Sequence, residues 1–212
     1  MRTNAKAKTS YIFFTLCAAG LGSVASLPAA AAERFHSLPA DKPGQSSELL
    51  IRVVDYAGTS NGAITVDVKN PTDKPQEFTA KGLYFVPQGN ADEAPQRVGA
   101  VGPFQQRGNG GFTRHDRITV APGATERLVL DVYCIDSHRS SPGSGTAFRV
   151  ARDRVPEKLT RAIDADAAKS AAPLGGMSSP EAKGAIQSQV WKHRDASWIK
   201  LDGEGRQEAV KH

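Results

Sequence analysis

From residue 48 onward, apolar and polar positions alternate in short bursts. Residues 49–54 are rich in β-branched and apolar side chains. Ile64, Val66 and Val68 alternate strictly with Thr65, Asp67 and Lys69, the period of a half-buried strand. Between these runs, Asn61-Gly62 supplies the left-handed pair that a tight hairpin needs. Asn70-Pro71-Thr72-Asp73-Lys74-Pro75 reads as a turn, because its prolines cannot donate to a central ladder. Further strands are predicted over residues 78–86, 97–101, 117–120 and 126–135, with a shorter one over 147–150. Ala121-Pro122-Gly123-Ala124 makes the turn before the longest of them, and polar connections at 87–96 and 105–111 interrupt the series. This punctuation predicts a mainly β chain: an immunoglobulin-like antiparallel β-sandwich over residues 48–152. Closure of the strands into a barrel is the alternative that periodicity leaves open.

After Arg152 the period changes to that of a helix. Val155, Leu159, Ala162 and Ile163 form one apolar stripe, with Asp153 as the expected cap and Pro156 in the first turn. Residues 171–179, with Pro173, Gly175 and Gly176, read as a loop. Ser179-Pro180-Glu181 opens a second helix through about His193, with Ala182, Ile186 and Val190 on its core side. A small two-helix segment over residues 153–201 is thus expected to pack on the sandwich. Trp198, Ile199 and Leu201 end it as a terminal strand or docking segment. Residues 33–47, with Pro39, Pro43 and Gly44, read as a flexible leader, and residues 202–212 as a flexible tail.

The first 32 residues follow a different logic. A basic head without acids (Arg2, Lys6, Lys8) precedes an apolar run over residues 11–24, which ends in Ala29-Ala30-Ala31-Ala32 before the first acid, Glu33. This is the pattern of a secretory signal peptide, and cleavage after Ala32 is expected to leave 180 of the 212 residues. Loss of Arg2, Lys6 and Lys8 lowers the formal charge from +5 to +2, so part of the basic balance belongs to the signal. The remaining chain has no stretch suited to span a bilayer and no Leu-Pro-x-Thr-Gly sorting signal. The expected product is exported, periplasmic or secreted. No basic run interleaved with aromatics points to a nucleic acid.

Export makes the cysteine count informative. Cys17 leaves with the signal, so Cys134 cannot pair within its own chain. A buried structural thiol, an intermolecular disulfide and a reactive or modified sulfur are the three options. Leu128, Leu130, Val132 and Cys134 share one face of their strand, while Arg127, Val129, Asp131 and Tyr133 share the other. The charged members mark that second face as outward, which turns Cys134 inward. On the second helix, Gln187 and Trp191 are four apart, next to the Ile186–Val190 stripe, so Trp191 can wall Gln187 off from water.

Tyr133-Cys134-Ile135-Asp136 together with Ile186-Gln187-Ser188-Gln189-Val190-Trp191 resembles the motif pair of bacterial thioester domains, a family of exported surface proteins. The family's Thr-Gln-x-Ala element has no counterpart here. The resemblance implies an adhesion-type module in which the Cys134 sulfur and the Gln187 carbonyl form an internal thioester that captures amines. Gln189 is the alternate acyl donor. Tyr133, Asp136, His138 and Trp191, which flank the pair, are the candidate binding residues. An extracellular protein or carbohydrate surface is the expected partner, and no cofactor is called for. A non-enzymatic β protein with an inert Cys134 is the alternative reading.

Other constellations are thinner. Cys134 with His193 or His138 and Asp195 has the residue types of a cysteine hydrolase, but the cysteine ends a strand rather than starting a helix. His36, His115, His138, His193 and His212 show no metal-binding spacing. The glycines at 108, 110 and 111 lack the lysine and the strand–loop–helix context of a phosphate cradle, and fit a flexible hairpin tip.

Overall fold

A computed structural model describes residues 34–41, 45–58, 62–108, 110–197 and 199–206. The expected signal peptide, and the expectations resting on Asn61, Asn109, Trp198 and His212, lie outside the described residues. The strands, in chain order, are β1 (His36–Ser37), β2 (Leu50–Ala57), β3 (Ala63–Lys69), β4 (Gln76–Phe78), β5 (Tyr84–Pro87) and β6 (Val98–Ala100). They continue with β7 (Phe104–Gly108), β8 (Gly111–His115), β9 (Ile118–Val120), β10 (Thr125–Cys134) and β11 (Phe148–Val150). Two helices follow, α1 (Glu157–Ala171) and α2 (Lys183–Ala196), each flanked on its inner side by a short 3-10 turn.

Nine of the strands form one antiparallel sheet in the order β1-β2-β3-β10-β6-β5-β11, with the β7–β8 hairpin joined to β10 through β7. Strands β4 and β9 make a separate pair. The large sheet curls until β11 meets β2, where Tyr56 and Phe148 pack edge to face with ring centroids 4.9 Å apart. The result is a sheet nearly closed into a barrel, not the two packed sheets of an immunoglobulin-like sandwich. The length of β10 explains the closure. Its first seven residues pair with β3 on one edge, while the other edge serves β7 and then β6.

Local chemistry accounts for the differences from the expected elements. The stretch 78–86 divides into β4 and β5 because Gly82 takes φ +71°, and the turn is closed by Leu83 N–H donating to the Ala80 carbonyl at 3.0 Å. The polar run at 105–111 is mostly β-hairpin: both its faces are largely exposed, so it carries no apolar alternation to detect. Part of the leader is ordered, with β1 adding to β2 and Leu38 buried in the barrel core. Asp153 does not cap α1. Pro156 occupies that position, and Asp153 instead accepts a hydrogen bond from the Tyr84 hydroxyl.

Two apolar cores result. One fills the barrel with Ile51, Ile64, Val66, Phe78, Phe104, Leu128, Leu130, Val132 and Cys134. The other lies between the helices and the outer face of β5 and the end of β10, where Tyr84, Tyr133 and Ile135 meet Leu159, Ile163, Ile186 and Val190. Tyr133, expected to face outward, is therefore 1% exposed. The helices cover a face that would otherwise be wet.

The segment after α2 is tied down through Asp202. Its N–H donates to the Tyr84 hydroxyl at 2.8 Å, and its carboxylate accepts from Arg149 at 2.6 Å and from the Arg152 N–H at 3.2 Å. Gly203 follows at φ +80°, and a Cβ there would run into the Val86 side chain. Gly203→Ala is expected to cost about 2 kcal/mol, from positive-φ strain plus overpacking, and to lower the melting temperature accordingly. Of the expected tail, residues 202–206 are thus docked.

Candidate functional site

Strand β3 begins at Ala63, and just before it the Gly62 carbonyl accepts from the Val132 N–H at 3.0 Å. In an antiparallel ladder the N–H groups of residues two apart point to the same edge. Cys134 therefore turns its peptide toward the β3 edge, beyond the last pair, Asp131 with Ala63. Gln187 bonds to it there. Its Oε1 accepts from the Cys134 N–H at 2.9 Å, and its Nε2 donates to the Cys134 carbonyl at 2.7 Å. The carboxamide bonds the Cys134 peptide as a paired strand residue would, and α2 carries it there from 53 positions along the chain.

Burial is nearly complete, with Cys134 at 0% and Gln187 at 4% exposed. The Cys134 side chain belongs to the barrel core, as its strand face requires. Burial, and then the negative charge of Asp136, push the thiol up to about 11. The Tyr56 phenol is pushed up to about 12 by burial and then by Cys134, which puts the two groups in one environment. Trp191, one helical turn beyond Gln187, packs on the barrel core and donates its Nε1–H to Gln96 Oε1 at 3.2 Å. Gln187 is thus the glutamine that reaches Cys134, while Gln189 lies half-buried two positions on.

Two residues past Cys134, Asp136 is gripped by Arg97, whose Nε donates to Asp136 Oδ2 at 2.7 Å and Nη2 to Oδ1 at 2.6 Å. The Arg97 N–H also donates to Asp136 Oδ2 at 3.1 Å, and its Nη1 reaches the Asp202 carbonyl at 3.1 Å. Both charged side chains are 0% exposed. This bidentate pair fixes the end of β10 to the start of β6, where the Ile135 N–H donates to the Arg97 carbonyl at 3.0 Å.

The remaining candidates scatter. His138 is exposed in the loop after β10. His193 Nε2 lies 3.0 Å from Asp166 Oδ2 on α1, and Asp195 accepts from the Ser137 hydroxyl at 3.0 Å. A hydrolase set of Cys134, His193 and Asp195 is therefore split among three local partnerships. Among the described residues, no group of three or more His, Cys, Asp or Glu could hold a metal ion, and no helix is long and apolar enough to cross a membrane.

Sequence reasoning missed Arg97, Gln96 and Asp202. The available signal was charge: Arg97 opens an apolar strand and Asp136 closes another, each an anomaly on its own. Only the fold reveals that they are each other's answer.

Chemically, the site offers a buried carboxamide bonded to the peptide of a buried cysteine, with a backbone N–H aimed at the carboxamide oxygen. Such a donor stabilises negative charge developing on that oxygen during attack at the carbonyl carbon. Compared with known proteins, the chain matches no family model, no curated protein and no solved structure.

Proposed function

We propose that the chain is an exported binding or adhesion-type module in which Cys134 and Gln187 form an internal thioester that captures amines covalently. The observation that carries this reading is the direct contact of the two residues, a buried carboxamide hydrogen-bonded at both heteroatoms to the cysteine's own peptide. The thiol adds to the Gln187 carbonyl carbon, and the C–N bond breaks. The thiol proton leaves on the amide nitrogen as ammonia. The Cys134 N–H supports the oxyanion in between, and burial protects the product from water. Export rests on the pattern of residues 1–32. An extracellular protein or carbohydrate surface is the partner this reading implies.

A second reading has its own support. Both carboxamide atoms are already engaged in completing the ladder, and the thiol belongs to the barrel core with its ionisation opposed. In that case Gln187 is a structural plug and Cys134 an inert core residue.

Intact mass of the mature protein separates the two. The thioester predicts a deficit of about 17 Da, one ammonia, that disappears in Cys134→Ala and turns into a gain of about 14 Da when methylamine opens the bond. The full mass, with a thiol that reacts with iodoacetamide only after unfolding, would establish the plug.

A further inference from the structure

The outer face of the large sheet carries a row that the linear sequence does not display. Arg52 pairs across the ladder with Asp67, and Asp67 with Arg127. On the other edge of β10, Leu128 and Val129 pair with Gln106 and Gln105, and one further step in that register sets Arg107 beside Arg127. Arg107 in turn pairs with Phe112 on β8. Arg52, Asp67, Arg127, Arg107 and Phe112 therefore cross five strands in one line, about 19 Å long at the usual strand spacing.

The charges in this row do not balance. Asp67 is the only acid, 2% exposed, and it is shared: Arg52 Nε and Nη2 reach its Oδ2 at 3.0 and 2.7 Å, and Arg127 Nε reaches its Oδ1 at 2.7 Å. Arg107 is exposed and makes no ion pair with any described residue. The adjacent row on this face carries Asp55 at its β2 end and Arg114 at its β8 end, and Asp131, two rows on, is already taken by Arg114 at 3.1 Å and Lys183 at 4.0 Å. Like charges at directly opposed strand positions repel. An exposed Arg107 next to Arg127 leaves a charge excess that an anion would relieve.

We infer that this row is a docking surface for a linear anionic polysaccharide, a chain whose carboxylate or phosphate groups can meet the guanidinium groups in succession. The length and the spread of the cations suit a polymer better than a single small anion. Phe112, 60% exposed at the far end of the row, is a single ring and gives successive bases no series of stacking platforms. The interior of the row has no aromatic ring, and Phe35, beside its Arg52 end, is covered by Arg52 at 4.8 Å and Lys69 at 5.9 Å. The surface lies on the outer sheet face and is independent of whether Cys134 and Gln187 are bonded.

The test is titration of the mature protein with polygalacturonate, with neutral dextran and oligothymidylate run in parallel. Polygalacturonate should bind, dextran should not, and affinity should fall steeply between about 50 and about 200 mM salt. Arg107→Gln should weaken binding about two- to fivefold with an unchanged melting temperature, since Arg107 makes no ion pair with any described residue. Adding Arg127→Gln should bring the loss to about tenfold, while Arg161→Gln on the exposed side of α1 should change nothing. Polygalacturonate binding no tighter than dextran, affinity indifferent to both sheet arginines, or preference for oligothymidylate would each overturn the inference.

Discussion

Asp136→Ala is expected to lower the stability of the fold by about 3–5 kcal/mol, because it leaves a fully buried guanidinium without its counter-charge. Arg97 and Asp136 share three hydrogen bonds and are 0% exposed, so solvent cannot take over the lost role. The loss should appear as a urea midpoint lower by about 1–2 M with little change in slope. The paired replacement Arg97→Met with Asp136→Leu should recover much of it, since no isolated charge then remains. If the single variant melts like the parent, the pair is not the clamp that joins β10 to β6. The clamp matters to the candidate site because it fixes the strand end that carries Cys134.

Gln187→Ala should cost about 2–4 kcal/mol by stranding the Cys134 N–H and C=O in a dry pocket and opening a cavity above them. Gln187→Glu is the more discriminating change. A protonated carboxyl can accept from the Cys134 N–H and donate to its carbonyl, reproducing both bonds; an ionised one faces that carbonyl with a charge and no proton. The folded state therefore prefers the neutral form, which raises the new carboxyl above the usual range near about 4.3. A raised value means that the stabilisation is present at low pH and lost as pH rises through the folded value. The deficit against the parent should be large at pH 7 and shrink towards pH 5, read as the difference in melting temperature. A deficit that does not vary with pH would argue against the two-pronged contact. The parent carries an uncharged group at this position, amide or thioester, and should show no such trend from it.

Much of the β framework was legible in the chain because one-sided burial writes itself as alternation. The register of β10 illustrates this: Leu128, Leu130, Val132 and Cys134 are buried in the barrel, as period two requires. The same rule failed where a second layer covers the sheet. Tyr133 and Ile135 point away from the barrel and are still buried, because α1 and α2 pack on that face. It also failed on the β7–β8 hairpin, where neither face is covered well enough to select apolar residues. Curling of the sheet into a near-barrel, and not a sandwich, followed from β10 sharing its second edge between β7 and β6, a pairing that strand patterns do not encode.

The candidate site divides along the same line. Sequence by itself determined a lone cysteine at an inward strand position and a glutamine on a helix next to a core stripe, because periodicity fixes which way each side chain points. Only the tertiary structure decided that the pairing of β10 with β3 stops at Asp131 opposite Ala63 and that the Gln187 carboxamide bonds the Cys134 peptide. It likewise decided that Arg97 answers Asp136 from 39 positions away, and that Arg107 continues the row of Arg52 and Arg127. These are contacts between distant segments. They depend on strand register and on where a helix lands, and no local pattern of residues carries that information.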